Sequence, residues 1–310
     1  MTPDPNDPPG TNLCNVDGAI VAEAEATVPV LDRGFLFGDS IYEVLRTRGG
    51  RLLAWREHLD RLRRSADALA MELDLDDGGI LRRVLATTAR AGFAESYVRI
   101  VVTRGTGSAP SIDLRCAPGP LRWVLLVRAL PAVEPVARLA MIERLRNDRR
   151  ALDPAAKSGN YLNNVLGLAE SQRTGATDCV FLNGRGHVTE ASTSNVFAVF
   201  GDRFATPPLG AGLLAGVTRA RLIGFLRACG QTVDECDLDA ATLRSADELF
   251  LTSTLRDIAP VSHLDGRPLH QGGGGGARST ALAAAFAAHL DRQAEVDDAA
   301  ARRVAGLDPA

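Results

Sequence analysis

The hydrophobic residues of the chain follow two different spacings. Short runs in which apolar and polar residues alternate are typical of strands, whereas apolar residues that recur every three or four positions are typical of helices. The first half predicts a hairpin around Gly49 and Gly50, helices over 56–71 and 78–91, and strands at Tyr97–Thr103 and Arg122–Ala129. This combination of strands and helices predicts an α+β module.

The second half predicts a further set of strands and helices. These are a strand at Leu139–Glu143, a helix with Leu162, Val165, Leu166 and Ala169 on one face, strands at Cys179–Leu182, His187–Glu190 and Asn195–Phe200, and a helix carrying Leu222, Phe225 and Leu226. Residues 183–186, with the sequence Asn-Gly-Arg-Gly, predict a tight hairpin turn. The glycine-rich run at 271–276 predicts a flexible tether to a C-terminal helix rich in alanine.

Length and proline content indicate two domains. A chain of 310 residues exceeds the roughly 100–200 residues of one domain, and Pro131 and Pro135 mark a linker at about 128–138. We therefore expect a small N-terminal α/β domain at 1–130 and a larger domain at 139–310. Residues 1–11, rich in proline, aspartate and asparagine, are predicted to be disordered.

Charge and composition exclude several classes of protein. A net charge of −3 and a pI of about 6.0 give no basic field for a phosphate backbone, so nucleic acid is not an expected partner. The first residues lack the pattern of a leader peptide, and no apolar run approaches the ~20 residues that span a bilayer. We therefore expect a cytoplasmic protein without a membrane segment. The five scattered cysteines and the histidines lack the spacing of a metal site, so we predict no metal.

One residue count departs from ordinary composition. Of the 35 basic residues, 34 are arginine and the remaining one is Lys157. Arginine stays protonated in proteins, whereas a lysine amine can lose its proton and act as a nucleophile. Composition bias explains most of the arginine excess, so Lys157 becomes a catalytic candidate only with support from its surroundings.

Polar residues cluster at three other places in the second half. Glu190 is followed by Ser192–Asn195 next to a predicted strand, and burying such a cluster without partners costs free energy. Val217 and Thr218 begin a predicted helix, whose N-terminal N–H groups attract an anion. A third group, Thr252–Thr254, comes at a strand end. We expect a polar group against the Glu190 cluster, with an exposed turn as the alternative. A phosphate held by helix amides, hydroxyls and an arginine would link the helix start at Val217 to the hydroxyls at Thr252–Thr254.

A set of motifs follows in order between about residues 15 and 270: DRGFLFGDSIYEVLRT, REHLDRLRRSA, YVRIVVTRG, KSGNYLNNVLGLAE, GHVTEASTSNVF, LLAGVTR and ELFLTSTLRDIAPV. Together they resemble the class IV aminotransferases, pyridoxal-phosphate enzymes of fold type IV that include branched-chain aminotransferases, D-amino-acid aminotransferases and aminodeoxychorismate lyase. The resemblance implies an α+β fold of two domains. The smaller would be the N-terminal α/β domain, and the larger would bind the cofactor on a pseudo-barrel sheet.

The resemblance implies roles around the cofactor, pyridoxal 5'-phosphate. Lys157 matches the lysine that forms a Schiff base with the cofactor and moves the proton at the substrate Cα. Glu190 matches the carboxylate that faces the pyridine nitrogen. Tyr161 falls where branched-chain enzymes place a tyrosine on the phenolic oxygen of the cofactor, allowing one residue fewer between it and the lysine.

The resemblance also implies a site for the cofactor phosphate. Arg61 matches the phosphate-binding arginine, because a guanidinium fork suits such a dianion. Val217 and Thr218 match the cup at a helix N-terminus, and Thr254, next to Ser253, matches the hydroxyl that closes it. These five residues are therefore expected to bind the cofactor.

The substrate motifs resemble two branches of the family. Phe37, Arg46, Tyr97 and Arg99 resemble residues of branched-chain enzymes, in which the tyrosine helps to hold the α-carboxylate and the arginine admits a glutamate side chain. These four residues are therefore candidates for substrate binding.

Another part of the pattern resembles the D-amino-acid branch. Tyr42 and the DRG-x-x-FGD run are of this type, and Tyr42 is a further candidate for substrate binding. The Arg-x-His pair that traps the α-carboxylate in the well-known enzymes of that branch is missing, because the aligned positions hold Ala109 and Ser111.

The motifs together lead us to expect a homodimeric transaminase. It would move an amino group from an amino acid, preferably a branched-chain L-amino acid, to a 2-oxo acid such as 2-oxoglutarate. The alternatives are a D-amino-acid aminotransferase with an atypical carboxylate trap, then a 4-amino-4-deoxychorismate lyase, and lastly a metabolite-binding protein that is not an enzyme.

Overall fold

The structure is a computed structural model that describes residues 10–270 and 273–307. Of the segment predicted to be disordered, residues 1–9 lie outside the described residues. Gly10 and Thr11 both donate their N–H groups to the Ala91 carbonyl, at 3.1 and 3.0 Å. These two residues are therefore fixed by the end of a helix.

The chain divides into two compact units. Among the described residues, the first unit holds 10–131, 156–160 and 290–307, and the second holds 132–155, 161–270 and 273–289. The change at residue 131 lies inside the predicted linker. However, 156–160 and the last residues, which we expected in the larger domain, group with the first unit.

Long-range hydrogen bonds explain why the last residues belong to the first unit. The Asp298 carboxylate accepts the Leu52 N–H at 2.9 Å, and the Asp297 carboxylate accepts the Ala54 N–H at 2.7 Å. The Trp55 indole donates to the Asp297 carbonyl at 2.8 Å. Without these carboxylates, the N–H groups of Leu52 and Ala54 would lose their partners.

One antiparallel sheet forms the centre of the first unit. Its strands are β1 (Leu13–Val16), β2 (Ala19–Ala22), β3 (Ser40–Arg48), β4 (Arg51–Leu52), β5 (Ser96–Thr103) and β6 (Arg122–Ala129), in the spatial order β2-β1-β6-β5-β3-β4. The helices of this unit are α1 (Arg33–Phe37), α2 (Trp55–Ala68) and α3 (Asp77–Ala91). The predicted hairpin, both helices and the strand at Arg122–Ala129 are thus confirmed.

Alternation along the strands separates a buried face from a more polar one. Val98, Ile100 and Val102 of β5 are fully buried, because their side chains point to the core formed with α2 and α3. Tyr97 and Arg99 point to the opposite face. Since Arg46 pairs with Tyr97 and Tyr42 pairs with Val101, the side chains of Tyr42, Arg46, Tyr97 and Arg99 share that face.

The second unit is built on a mixed sheet that curls into a half-barrel. Its strands are β7 (Ala137–Leu145), β8 (Asp178–Leu182), β9 (Asn195–Phe200), β10 (Arg203–Thr206), β11 (Thr232–Glu235), β12 (Glu248–Ser253), β13 (Asp257–Leu264) and β14 (Arg267–Pro268). Strand β7 runs parallel to β8 and β13, and β10 runs parallel to β11. The other helices are α4 (Leu162–Gln172), α5 (Val217–Ala228), α6 (Ala240–Arg244) and α7 (Ala277–Val304).

The strand predicted at His187–Glu190 is wrong, although the turn before it forms. The Gly186 N–H donates to the Asn183 carbonyl, which closes the turn. Beyond it, Val188 donates to the Leu238 carbonyl and Thr189 donates to the Phe181 carbonyl. Because successive N–H groups bond to different segments, only isolated bridges form there.

Helix α4 buries its small and polar residues and exposes its apolar ones. Leu162, Val165 and Leu166 are 67%, 57% and 41% exposed, whereas Asn164 and Gly167 are buried. A Cβ atom on Gly167 would overlap the Phe181 ring, so only glycine allows this close approach. The predicted helix is confirmed, but its apolar face does not point into the unit.

The glycine-rich run differs from the predicted tether. Two of its residues, 271 and 272, lie outside the described residues. Gly276 packs against the Glu248 side chain so closely that a Cβ atom would overlap it. The Glu248 carboxylate accepts the N–H groups of Arg278 and Ser279 at 2.9 and 2.7 Å, and therefore caps the start of α7. Within the described parts of the chain, no helix combines the length and apolar character that crossing a membrane requires.

Candidate active site

The backbone of Lys157 is held by two elements of the first unit. The Tyr42 N–H of β3 donates to the Lys157 carbonyl at 2.9 Å, and the next residue, Ser158, bridges to Ile41. The Lys157 N–H donates to the Ser65 hydroxyl of α2 at 3.0 Å. Segment 156–160 thus extends the edge of the sheet, and this fixes where the lysine side chain begins.

The Lys157 side chain lies against Tyr42. Its Nζ atom donates to the Tyr42 hydroxyl at 3.2 Å and lies 4.3 Å from the centroid of the ring. The Arg99 guanidinium lies 4.0 Å from the same centroid. The electron-rich face of a tyrosine ring attracts cations, so Tyr42 holds both basic groups close to one another. The structure therefore brings together three residues that the sequence marked as candidates.

Three further candidates lie in the same unit. Arg46 and Tyr97 occupy the sheet face shared with Tyr42, and the Arg46 Nε donates to the Thr47 carbonyl at 3.2 Å. Phe37 ends α1, where its ring lies 5.2 Å from the guanidinium of Arg33. Two arginines and two tyrosines on one sheet face can hold a carboxylate by charge and hydrogen bonding.

Arg61 lies in a buried cluster with Glu43 and His58. Its Nε and Nη2 donate to the two oxygens of the Glu43 carboxylate at 2.7 and 2.8 Å. His58 Nδ1 lies 2.8 Å from the same carboxylate, and Glu43 is fully buried. Burial raises the pKa of Glu43, but Arg61 and His58 outweigh it and hold this pKa well below its ordinary value. The carboxylate therefore fixes the arginine in one geometry.

Glu190 is the centre of a cluster in the second unit. Its carboxylate accepts the Arg146 Nε at 2.8 Å and the Leu214 N–H at 3.1 Å, and it is 5% exposed. Arg146 also donates to the Asn163 side chain at 3.1 Å. A buried carboxylate that accepts hydrogen bonds from a guanidinium and a backbone N–H is held in one position.

Arg146 is a residue that the sequence analysis missed. It lies in the run ERLRNDRR, where neighbouring arginines give no reason to select it. Its position becomes clear only from the fold, because its N–H donates to the Leu182 carbonyl and its guanidinium lies 5.8 Å from the Phe181 ring. No signal in a single sequence identifies this ion pair.

The predicted phosphate cup begins at the first turn of α5. Gly216 precedes the helix, and a Cβ atom there would overlap the Asn195 amide oxygen, so the position requires glycine. The Asn195 Nδ2 donates to the Leu214 carbonyl at 3.0 Å and holds this turn. Val217 and Thr218 are the first two residues of the 12-residue helix. Their N–H groups lie at the positive end of the helix dipole, where a phosphate binds favourably.

Hydroxyl groups of the second unit supply further donors. Ser253 ends β12 and Thr254 follows it, as predicted for a strand end. Buried polar atoms without a hydrogen-bond partner in the part of the chain that the structure describes include the Thr252 Oγ1, the Ser194 Oγ and the Asn164 Oδ1. Such atoms cost free energy unless a ligand or water satisfies them. The hydroxyl groups can donate to an anionic ligand, whereas the Asn164 Oδ1 can only accept a hydrogen bond. No cluster of metal-ligating side chains occurs in residues 10–270 or 273–307.

Tyr161 immediately precedes α4 and is partly exposed. The predicted site residues therefore fall into two groups. Phe37, Tyr42, Arg46, Arg61, Tyr97, Arg99 and Lys157 belong to the first unit, and Tyr161, Glu190, Val217, Thr218, Ser253 and Thr254 belong to the second.

Comparison with known proteins identifies the family. The sequence model of the family described as amino-transferase class IV matches residues 40–264. The chain is a class IV aminotransferase. A putative branched-chain-amino-acid aminotransferase of Methanocaldococcus jannaschii is 34% identical over 82% of this chain and 88% of its own length. A D-alanine aminotransferase of Listeria monocytogenes is 31% identical over 81% of this chain and 87% of its own length.

Solved structures of class IV aminotransferases share the fold. A branched-chain aminotransferase of Thermoproteus uzoniensis, solved with norvaline, has a TM-score of 0.82 and 27% identity, covering 93% of this chain and 97% of its own. A T.th. branched-chain amino acid aminotransferase, solved with pyridoxamine 5'-phosphate, has a TM-score of 0.83 and 26% identity over 92% and 96%. The predicted fold class and the predicted transaminase activity are confirmed.

Proposed function

We propose that this aminotransferase uses pyridoxal 5'-phosphate to move the amino group of a branched-chain L-amino acid to a 2-oxo acid such as 2-oxoglutarate. The observation that carries the proposal is the contact between Lys157 and Tyr42. The chain has a single lysine, and its amine is held 3.2 Å from a buried tyrosine hydroxyl beside Arg99. A lysine that serves only for solubility needs no such environment.

The first group of residues acts on the substrate amino group and its Cα. Bound pyridoxal phosphate supplies a carbonyl that reacts with amines and a ring that draws electrons from the substrate Cα. The Lys157 Nζ would take the proton from this Cα and deliver it to the C4′ carbon of the cofactor, and it would move a proton in the opposite direction when the oxo acid is aminated. The Tyr42 hydroxyl accepts a hydrogen bond from Nζ and so keeps the amine directed to one position.

Glu190 holds a proton on the ring nitrogen of the cofactor. Arg146 and the Leu214 N–H hold its carboxylate in one position, and a carboxylate facing the ring nitrogen would favour a protonated pyridine ring. Glu190→Gln removes the charge and is expected to lower kcat by about 10²-fold, the usual size of a lost electrostatic contact in an active site. Glu170→Gln, which changes a partly exposed carboxylate paired with Arg144, is the matched control.

The phosphate is held by the first turn of α5 and by hydroxyls. We assign it to the N–H groups of Val217 and Thr218, to the side chains of Ser253 and Thr254, and to Arg61. The partnerless Thr252 hydroxyl near this strand end supports a polar ligand there. Tyr161 is assigned to the phenolic oxygen of the cofactor ring.

The sheet face of the first unit is assigned to the substrate. Arg99 and Tyr97 bind the carboxylate, with Arg46 and Phe37 completing the substrate residues. The preference for a branched-chain donor is supported by the relative from Methanocaldococcus jannaschii and by the branched-chain enzymes that share the fold.

A D-amino acid is the second candidate for the donor. D-alanine aminotransferases of Listeria monocytogenes are 31% identical to this chain, close to the 34% of the branched-chain relative. In the loop where the well-known D-amino-acid enzymes carry the Arg-x-His pair, this chain has Ala109 and Ser111, and the Ser111 and Ile112 carbonyls accept hydrogen bonds from Arg33. A D-amino acid would therefore need another cation for its carboxylate, for which Arg99 is available.

The exposed face of α4 supports a homodimer. Leu162, Val165 and Leu166 give three large apolar side chains on one helix whose inner face is already filled. A second copy of the chain would remove this apolar surface from water. Replacing Leu162 and Val165 together by glutamate is expected to shift sedimentation from dimer to monomer, and a wild-type monomer at micromolar concentration would contradict this assignment.

Cofactor absorbance tests the function. Purified protein is loaded with pyridoxal phosphate, and L-leucine and D-alanine are added separately without an oxo acid. We expect L-leucine to convert the near-visible band of the bound cofactor to that of the amine form, and 2-oxoglutarate to restore it. Lys157→Ala serves as the control that lacks the reactive amine.

Each result has a separate meaning. If D-alanine alone converts the band, the protein is still a transaminase, but its donor is a D-amino acid and not a branched-chain L-amino acid. No cofactor band in the wild type, under conditions in which the protein is folded, contradicts the roles of Lys157 and the phosphate cup. Release of pyruvate from aminodeoxychorismate without an acceptor would identify a lyase.

A further inference from the structure

A cavity lies in the first unit, and none of the residues assigned above to the cofactor or the substrate lines it. It has a volume of about 650 Å³ and is lined by β3, β4, α3 and the C-terminal end of α7. Leu52, Leu85, Ala86, Phe93 and Leu307 give it apolar walls. Clefts of about 300–1,000 Å³ with mostly apolar walls and a few polar groups are typical binding sites for small molecules.

The cavity is distinct from the surroundings of Lys157. The Lys157 carbonyl is hydrogen-bonded to the Tyr42 N–H near the start of β3, whereas Thr47, near the end of the same strand, lines the cavity. Five residues of an extended strand cover about 17 Å. A ligand in the cavity therefore does not touch the lysine.

The polar side of the cavity is cationic. Arg302 lines it and donates through Nε to the Asp298 carboxylate at 2.8 Å. Asp298 is itself buried and also accepts the Leu52 N–H, so it holds the Nε side of Arg302 in a fixed position. The terminal nitrogens of Arg302 make no hydrogen bond to any residue in 10–270 or 273–307. Arg82 lines the same cavity and contacts the Ala305 carbonyl.

We propose that this cavity binds a small amphipathic carboxylic acid that regulates the enzyme. Its apolar body occupies the space between Leu85, Phe93 and Leu307, and its carboxylate pairs with Arg302. A neutral molecule of the same shape would leave the terminal nitrogens of Arg302, which do not bond to Asp298, without a charged acceptor, so we expect a carboxylate to bind in preference.

The lining residues connect the cavity to the proposed substrate face. Thr47 follows Arg46 on β3, and Ser96 precedes Tyr97 on β5. The Ser96 N–H donates to the Thr47 hydroxyl at 2.6 Å, and Arg46 is paired with Tyr97 in the sheet. A ligand that shifts Thr47 or Ser96 therefore also shifts Arg46 or Tyr97, the adjacent residues in the chain, which are candidates for substrate binding. The effect on the enzyme is therefore transmitted along two strands.

Binding of 4-phenylbutyrate tests the site, with neutral 4-phenylbutanamide as the comparison. Calorimetry on the cofactor-loaded enzyme is expected to give saturable binding of the acid and at least tenfold weaker binding of the amide. Ala89→Trp fills the cavity from the exposed side of α3, and Arg302→Gln removes the cation. Each is expected to weaken binding of the acid at least tenfold. Arg303→Gln, at an exposed neighbour that does not line the cavity, should bind like the wild type.

Rate measurements test regulation separately from binding. With whichever amino acid the enzyme uses, saturating 4-phenylbutyrate is expected to change kcat at least twofold in the wild type and leave Ala89→Trp unaffected. Ala89→Trp should unfold at the wild-type temperature, which excludes a general loss of structure. Arg302→Gln also removes one partner of the buried Asp298, so its binding is measured at a temperature at which it and the wild type are both folded. The proposal would be overturned if the acid does not bind saturably to the wild type, or if Ala89→Trp and Arg302→Gln both bind it as tightly as the wild type does. Purely competitive inhibition against the amino acid would also overturn it. Binding without any change in rate would overturn the regulatory role.

Discussion

Replacing Glu43 by glutamine tests the buried cluster around Arg61. The substitution keeps the shape but removes the negative charge that receives two hydrogen bonds from Arg61 and one contact from His58. Removing one partner of a buried ion pair costs about 3–5 kcal/mol, because the remaining charge is left without compensation. Since glutamine retains one acceptor oxygen, we expect a loss near 3 kcal/mol in the free energy of unfolding.

Guanidinium unfolding at pH 7, followed by tryptophan fluorescence, measures this loss. Linear extrapolation gives the free energy of unfolding for the wild type, for Glu43→Gln and for Glu72→Gln, an exposed control. The control should change stability by less than about 0.5 kcal/mol. A loss below about 1 kcal/mol in Glu43→Gln would refute the reasoning from burial and charge.

A double variant separates stability from cofactor binding. Replacing both Glu43 and Arg61 by leucine removes both charges together, so most of the lost stability should return. If Arg61 also binds the cofactor phosphate, the double variant still binds pyridoxal phosphate at least tenfold more weakly than the wild type. Recovery of both stability and cofactor affinity would make the cluster purely structural.

Other predictions concern close packing and pH. Gly167→Ala should lose about 1–3 kcal/mol of stability, measured by the same unfolding assay, because the new methyl group overlaps Phe181. Burial lowers the pKa of His58, although Glu43 opposes it. The unfolded chain then binds more protons, so stability falls as pH drops below about 6.5, and His58→Gln should flatten this dependence. Gly216→Ala should weaken cofactor binding about tenfold in a fluorescence titration, because it displaces Asn195.

Local patterns predicted most elements because each is specified by neighbouring residues. The strand at Asn195–Phe200 is found at the predicted residues, since its apolar run lies between clear turns. The family could be recognised because several motif runs are specific to it, and these runs made residues such as Lys157 and Glu190 candidates for the site. The burial of α4 could not be predicted, because periodicity gives the apolar face but not the partner that covers it.

Long-range contacts account for what the sequence did not reveal. Arg146 pairs with Glu190 across 44 positions of the chain, and no pattern in the sequence near either residue predicts that the two are in contact. The same holds for Asp298 and Leu52, which bring the end of α7 into the first unit. An aspartate in an alanine-rich helix has the pattern of a solvated charge, and only the fold makes it a buried acceptor.

The return of the last helix to the first unit has a consequence during synthesis on the ribosome. Residues 10–131 emerge while the carboxylates that satisfy Leu52 and Ala54 have not yet been translated. At about 5–20 residues per second, the ribosome needs on the order of 10–30 s to go from residue 131 to Asp298. During this time the β3–β4 hairpin lacks its covering helix, so the N-terminal unit completes its folding only after the second unit has emerged.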